Sequence, residues 1–190
     1  MEKSKTKLIA FYGVFSALIL VLFYFETLIS FALTLTPPAV LSLPVVFTFC
    51  LLDDWKTGLV GGIIFGVSSF VIALSIGNPL FILPWISILP RLFVGIGAYG
   101  GYKLIKTLTK NRQNSFVKDL LPYSVGAFIG IILNTVLVIL CLTLFASSYG
   151  GFAYWVKACI TINFPIELVV AVILTPILSR VAGKIKGKIL

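Results

Sequence analysis

Long apolar runs, broken only by short clusters of charge and of proline and glycine, decide what this chain can become. After Asp119, for example, no charged residue occurs before Lys157. A helix that crosses a bilayer needs roughly 20 residues of this kind. Only 11% of the 190 residues are charged and 59% are hydrophobic, with a mean hydropathy of +1.13. A soluble domain carries about a quarter charged residues. One water-facing fold of this size cannot bury so much apolar surface, so the expected solvent is lipid. The same balance excludes a disordered chain, a nucleic-acid-binding domain and a disulfide scaffold.

The missing residue types narrow the chemistry. There is no histidine, which removes His-based triads, imidazole metal sites and imidazole proton relays. Cys50, Cys141 and Cys159 lie in separate apolar stretches and form no CxxC pair, so neither a metal site nor a redox motif is indicated. They are expected to be buried, inert thiols. The acidic residues Glu2, Glu26, Asp53, Asp54, Asp119 and Glu167 make no paired-carboxylate cluster, as a hydrolase or two-metal enzyme would need. The chain is not expected to be an enzyme.

Hydropathy and breaker residues predict an all-α membrane protein, a single domain over residues 1–190. Six transmembrane helices are expected at about 7–30, 38–52, 56–76, 84–107, 119–147 and 158–182, to within about four residues. The second is short, and Pro44 is expected to interrupt it. The first is too long for a signal-peptide core and lacks a small-residue cleavage site. Prolines 44, 84, 90, 165 and 176 within spans suggest a bundle with an internal cavity, where protein covers the freed backbone groups. Six spans put both termini on one side, together with 13 of the 15 basic residues; only Arg91 and Lys157 lie elsewhere. By the positive-inside rule that side is the cytoplasm. Topology and anionic lipid then explain the net charge of +9 without nucleic acid.

Charged and polar residues are expensive at membrane depth, about 2.5–3.5 kcal/mol for a charge at a helix centre, and they mark candidate sites. Arg91 and Glu167 lie at similar depth from the outer side. Either they pair and lock two helices, or one or both face a substrate. Asn163 shares a helix face with Glu167, four residues away. Asn134 lies midway along the fifth helix, and Asn78 precedes the fourth, close in depth to Trp85 and Ser87. Lys157, Tyr154 and Trp155 mark the outer end of the sixth helix; the two aromatics are either interfacial anchors or part of the site. Together these groups suit a small organic ligand better than an ion filter. Phenylalanine supplies most of the 14% aromatic content, and no ring cage is read from it. Glu26 could be a gate, a ligand contact or a snorkelling surface charge, of which the last is expected, and Asp53 and Asp54 are expected to serve turn and cap chemistry before Gly58.

Gly58, Gly62 and Gly66 repeat every four residues along helix three, as do Gly126 and Gly130 in helix five and Gly13 and Ala17 in helix one. Such spacing lets helix backbones approach closely in lipid, and internal packing is expected for most of it. Helix one, with Ala10 and Ser16 added, offers a small-residue face for another subunit. No GxxxxGK[ST] phosphate loop occurs, so a pump would need its motor on another chain. A stand-alone secondary transporter would have Glu167 as its central proton-carrying carboxylate.

The chain resembles the substrate-binding S components of energy-coupling factor (ECF) vitamin transporters over its whole length. The resemblance rests on the six helices, the basic ends, residues 78–91 (NPLFILPWISILPR), the Gly-rich 92–101 that follow, and NFPIE at Asn163–Glu167. Where that family has AxxxA, this chain reads Gly13-Val14-Phe15-Ser16-Ala17. The resemblance implies a multi-pass protein of a bacterial cell membrane that binds a B-group vitamin from outside and has no cofactor of its own. Its partners would be a transmembrane coupling subunit and two ATPase subunits that hydrolyse ATP. Substrate would be held by Arg91, Asn134, Asn163 and Glu167, with Asn78, Lys157, Trp85 and Tyr154 nearby. Residues 33–38, including Thr36, Pro37 and Pro38, would form a lid. Ala10, Gly13 and Ala17 would dock the coupling subunit. Arg91 and Lys157 favour an anionic vitamin, and pantothenate fits best; riboflavin, cobalamin, folate and a thiamine precursor are the alternatives.

Overall fold

The apolar runs become helices, and proline marks where several of them begin. The computed structural model describes residues 2–32, 39–112, 114–160 and 163–189. Among these, nine helices follow in order: α1 (Glu2–Ala32), α2 (Ser42–Cys50), α3 (Trp55–Ile76), α4 (Pro84–Ser87), α5 (Leu89–Leu108), α6 (Ser115–Asp119), α7 (Leu121–Phe145), α8 (Phe152–Ile160) and α9 (Asn163–Ile189). The described residues contain no strand.

Pro44, Pro84, Pro90 and Pro165 each fall within the first three residues of a helix. The first turn has N–H groups without an intrahelical acceptor, so a missing N–H is tolerated there. The expected interruption of the second helix by Pro44 is therefore corrected: Pro44 helps to start it. Pro176 alone of those five lies inside a helix. Two boundaries also change. The expected fourth helix breaks at Ile88 into α4 and α5, and the expected sixth starts inside α8, ahead of a separate α9. Asp54 caps α3 as its sequence position suggests: its carboxylate accepts the Thr57 N–H at 3.0 Å and Thr57 answers in a capping box. Gly77 ends α3 with φ at +70°, a left-handed turn that suits glycine.

Helix α2 is the centre of the bundle. It is nine residues long, about 14 Å, and every one of its residues is buried. It touches α1, α3, α5, α7 and α9. Phe47 and Phe49 on α2 join Phe65 of α3, Val94 and Ala98 of α5 and Ile131 of α7 in the main core. The surrounding helices approach one another through glycine. A Cβ on Gly58 would stand 2.8 Å from the Gly95 carbonyl oxygen, and one on Gly66 would stand 2.9 Å from Ile88 Cα. Only a bare Cα allows α3 and α5 to lie this close. Gly126 and Gly130 of α7 serve the same internal packing against α5 and Phe47.

Polar ties define the two ends. At one end Asp53, in the turn before α3, accepts from the Tyr12 hydroxyl of α1 and the Lys186 ammonium of α9. Arg180 pairs there with Asp119 at 3.4 Å. These contacts bring Tyr12 of α1 and Lys186 of α9 together at the turn that precedes α3. At the other end Glu26 of α1 accepts the backbone N–H groups of Leu41 and Ser42 and, at 2.5 Å, the Ser42 hydroxyl. Glu26 is thus a helix cap supplied from another helix, which corrects its reading as a snorkelling charge.

The outer surface is apolar at helical spacing. Val60, Ile63, Val67, Val71 and Leu74 on α3 are exposed, as are Val136, Leu140 and Leu144 on α7 and Val169, Ile173 and Ile177 on α9. Contiguous apolar faces of this extent suit lipid and not water. Among the described residues, four helices are long and apolar enough to cross a membrane, at Ile9–Ile29, Trp55–Ile76, Leu121–Phe145 and Phe164–Lys188. Helix α5 has the length, but Arg91, Lys103 and Lys106 raise its polarity. Helix α2 is too short and is sheathed by protein on all sides. The chain is a helical membrane protein.

Candidate functional site

At the end remote from Asp53 and Lys186, the helices line an open cavity of about 320 Å³, within the ~300–1,000 Å³ range of small-molecule sites. Its wall is mostly apolar, with Ile72, Val138 and Leu142 among the lining side chains. Arg91, Asn134, Glu167, Asn78 and Trp155 bring polar groups to it.

Arg91 reaches the wall because α5 restarts after the break at Ile88 and makes it the third residue of the helix. Gly62 of α3 lies against its backbone; a Cβ there would stand 3.2 Å from the Arg91 carbonyl carbon. The side chain is 5% exposed. Its guanidinium carbon sits 5.6 Å from the centroid of the Phe65 ring and 5.4 Å from that of Phe81. Nη1 donates to the Ile86 carbonyl, whereas Nε finds no hydrogen-bond partner among the described residues. No acidic side chain among the described residues forms an ion pair with it. Cation–π contact with two rings offsets part of the desolvation. A buried cation still favours an anion strongly.

Glu167 stands in the same wall, and its Oε1 accepts the Ala39 N–H at 3.0 Å. Asn134, at the middle of α7, leaves Oδ1 buried without a partner among the described residues. Asn78 lies past the end of α3 and spends its Oδ1 on the Leu80 N–H, at 3.1 Å, in a local turn. Trp155 of α8 is 5% exposed and its Nε1 has no partner among the described residues. Neighbouring Ser87 donates to the Phe81 carbonyl.

The structure thus brings Arg91, Asn134, Glu167 and Asn78 to one cavity. Trp85, Tyr154 and Lys157 are exposed and are not among the described residues that line it. Periodicity explains the exchange of Tyr154 for its neighbour: on amphipathic α8 adjacent residues face about 100° apart, so only Trp155 turns inward. Asn163 is the first residue of α9 and its side chain lies outside the described residues, as do Thr36, Pro37 and Pro38 of the expected lid. Phe65 and Phe81 were not legible as site residues, because phenylalanine is common throughout the chain and their meeting at Arg91 is tertiary. Ala10, Gly13 and Ala17 are exposed on α1, with open space around Gly13. Cys50 and Cys141 are buried, and Cys159 touches the cavity.

No protein-family profile matches the chain, and no solved structure matches it. It is 31% identical over 198 residues to the pantothenic acid transporter PanT of Lactococcus lactis subsp. cremoris (strain MG1363), an alignment covering 92% of this chain and 93% of that protein.

Proposed function

Since the chain belongs to the family of the pantothenic acid transporter PanT, we propose that it is the S component of an ECF-type importer and captures pantothenate. The observation that carries this reading is Arg91, a buried guanidinium in the cavity wall with Nε unpartnered and no carboxylate of the described chain paired to it. Nη1 is committed to Ile86, which leaves the other edge of the fork to grip a carboxylate through two parallel N–H groups. Pantothenate carries one carboxylate, an amide and two hydroxyls, and the remaining wall offers both apolar and polar groups to them.

The chain crosses a bacterial cell membrane six times. Residues 39–54 make the second crossing with α2 at their middle, sheathed by protein and not by lipid, and both termini are in the cytoplasm. The one-sided basic residues support that orientation. The cavity then opens toward the outside. The protein carries out no chemistry and binds no cofactor. ATP is hydrolysed by two partner ATPases, and a transmembrane coupling subunit docks on the small-residue face of α1 at Ala10, Gly13 and Ala17. Nothing in this reading requires nucleic acid.

The test is to express the chain alone and together with a coupling subunit and ATPases. Tight one-to-one pantothenate binding by the lone chain, and ATP-dependent uptake only with partners, is the expected outcome. Robust proton-driven uptake by the lone chain would overturn it in favour of a secondary transporter that uses Glu167.

A further inference from the structure

Several polar groups in and near the cavity wall are committed to the protein itself. Asn78 Oδ1 serves its turn, Glu167 Oε1 holds the Ala39 N–H, and the Thr27 and Ser87 hydroxyls donate to backbone carbonyls. Among the described residues, the buried side-chain atoms of this wall that lack a partner are, apart from Arg91 Nε, Asn134 Oδ1 and Trp155 Nε1. Tryptophan is normally buried only where its N–H reaches a partner, and an unmade buried hydrogen bond is destabilising. Here both atoms belong to side chains that line the same hollow, one on α7 and one on α8. One is an acceptor and the other a donor. A hydroxyl is the smallest group that answers both, since its oxygen accepts while its hydrogen is donated.

We infer that Trp155 and Asn134 form a second recognition station, which reads a hydroxyl of the ligand while Arg91 holds the carboxylate. The Trp155 indole N–H donates to the hydroxyl oxygen, and Asn134 Oδ1 accepts the hydroxyl proton. This deepens the pantothenate reading and rests on it, because pantothenate carries its hydroxyls beyond the amide, remote from the carboxylate. Trp155 thereby becomes a specificity-determining residue. An acyl-β-alanine of the same shape but lacking hydroxyls leaves a buried donor and acceptor unmatched and is rejected.

Isothermal titration of the purified full chain tests this with two ligands. One is pantothenate; the other is the β-alanine amide of tert-butylacetic acid, which keeps the carboxylate, the amide and the branched carbon without either hydroxyl. Wild type is expected to bind the second at least roughly 10-fold more weakly. Trp155→Phe, which keeps an aromatic ring and removes the N–H, and Asn134→Leu, which keeps the volume, should each weaken pantothenate binding by roughly 10-fold. Affinity for the hydroxyl-free ligand should stay the same or rise in both variants, since neither leaves that donor or acceptor unmatched. Equal weakening toward both ligands, or none toward pantothenate, would overturn the station. Arg91-dependent pantothenate binding that ignores both variants removes this inference alone, whereas no binding of pantothenate by wild type removes the function it rests on.

Discussion

Arg91 and Glu167 share the wall of one cavity without forming an ion pair. Arg91 donates to the Ile86 carbonyl and lies over two phenylalanine rings, while Glu167 accepts from the Ala39 N–H. A mutual pair would have neutralised both and left nothing to attract an anion. Their separate attachments keep the positive charge of one and the acceptor capacity of the other directed at the hollow.

Arg91→Ala should weaken pantothenate binding by about 2–5 kcal/mol, the usual loss when one side of a buried charged contact is truncated. Titration calorimetry measures this directly. The alcohol analogue of pantothenate, in which CH2OH replaces the carboxylate, should bind poorly to wild type and be nearly indifferent to the substitution. Unchanged pantothenate affinity in a folded variant takes Arg91 out of the site.

Gly62→Ala places a methyl against the Arg91 backbone and should destabilise the protein by about 1–3 kcal/mol, as overpacking typically does. Gly13→Ala meets nothing within 4 Å and should leave stability unchanged or raise it by up to about 1 kcal/mol. Thermal unfolding in detergent distinguishes the two; equal midpoints would contradict the close approach of α3 and α5.

Ala17→Trp adds bulk to an exposed face of α1. Vitamin binding by the lone chain should persist, and ATP-dependent uptake with the partner subunits should be lost. Uptake at the wild-type rate would show that coupling does not use this face.

Glu26→Ala removes a carboxylate that accepts from the start of α2. Loss of a helix cap costs about 0.5–2 kcal/mol, so the unfolding midpoint should fall. Glu167→Gln keeps an oxygen for the Ala39 N–H but cannot carry a proton. Partner-driven uptake should survive that change, and its abolition with binding intact would favour the proton-coupled reading.

The Asp54 cap carries a pH signature at the end of the bundle where Asp53 and Lys186 meet. The Thr57 N–H, and the nearby Lys56, hold its carboxyl below the ordinary carboxylate range. The folded pKa lies below the unfolded one, so the stabilisation is complete above the unfolded value, about 3.9, and fades as pH falls through the folded value. Wild type and Asp54→Asn should therefore differ in stability by a constant amount from pH 8 to about pH 5 and converge only in stronger acid. Convergence near neutrality would deny the cap.

Part of the cavity's polar wall was legible because lipid penalises what it cannot solvate. Arg91, Glu167 and Asn134 stand out in apolar runs for that reason alone, and all three line the cavity. The glycine stripes were equally readable, since small residues at four-residue spacing are what close helix packing needs. Residues near the helix ends were not. There, amphipathic aromatics and charges are ordinary interfacial features, so Trp85, Tyr154 and Lys157 looked like site residues as much as Trp155 did.

By itself the amino-acid order determined the solvent, the helical class and the inward polar residues, because hydropathy is a local property summed over each run. Tertiary packing alone decided that Glu26 caps α2, that Phe65 and Phe81 meet the Arg91 guanidinium, and that Trp155 turns inward while Tyr154 turns out. These relations join residues distant in the chain or differing by one helical step, and only the relative placement of whole helices brings such groups within reach.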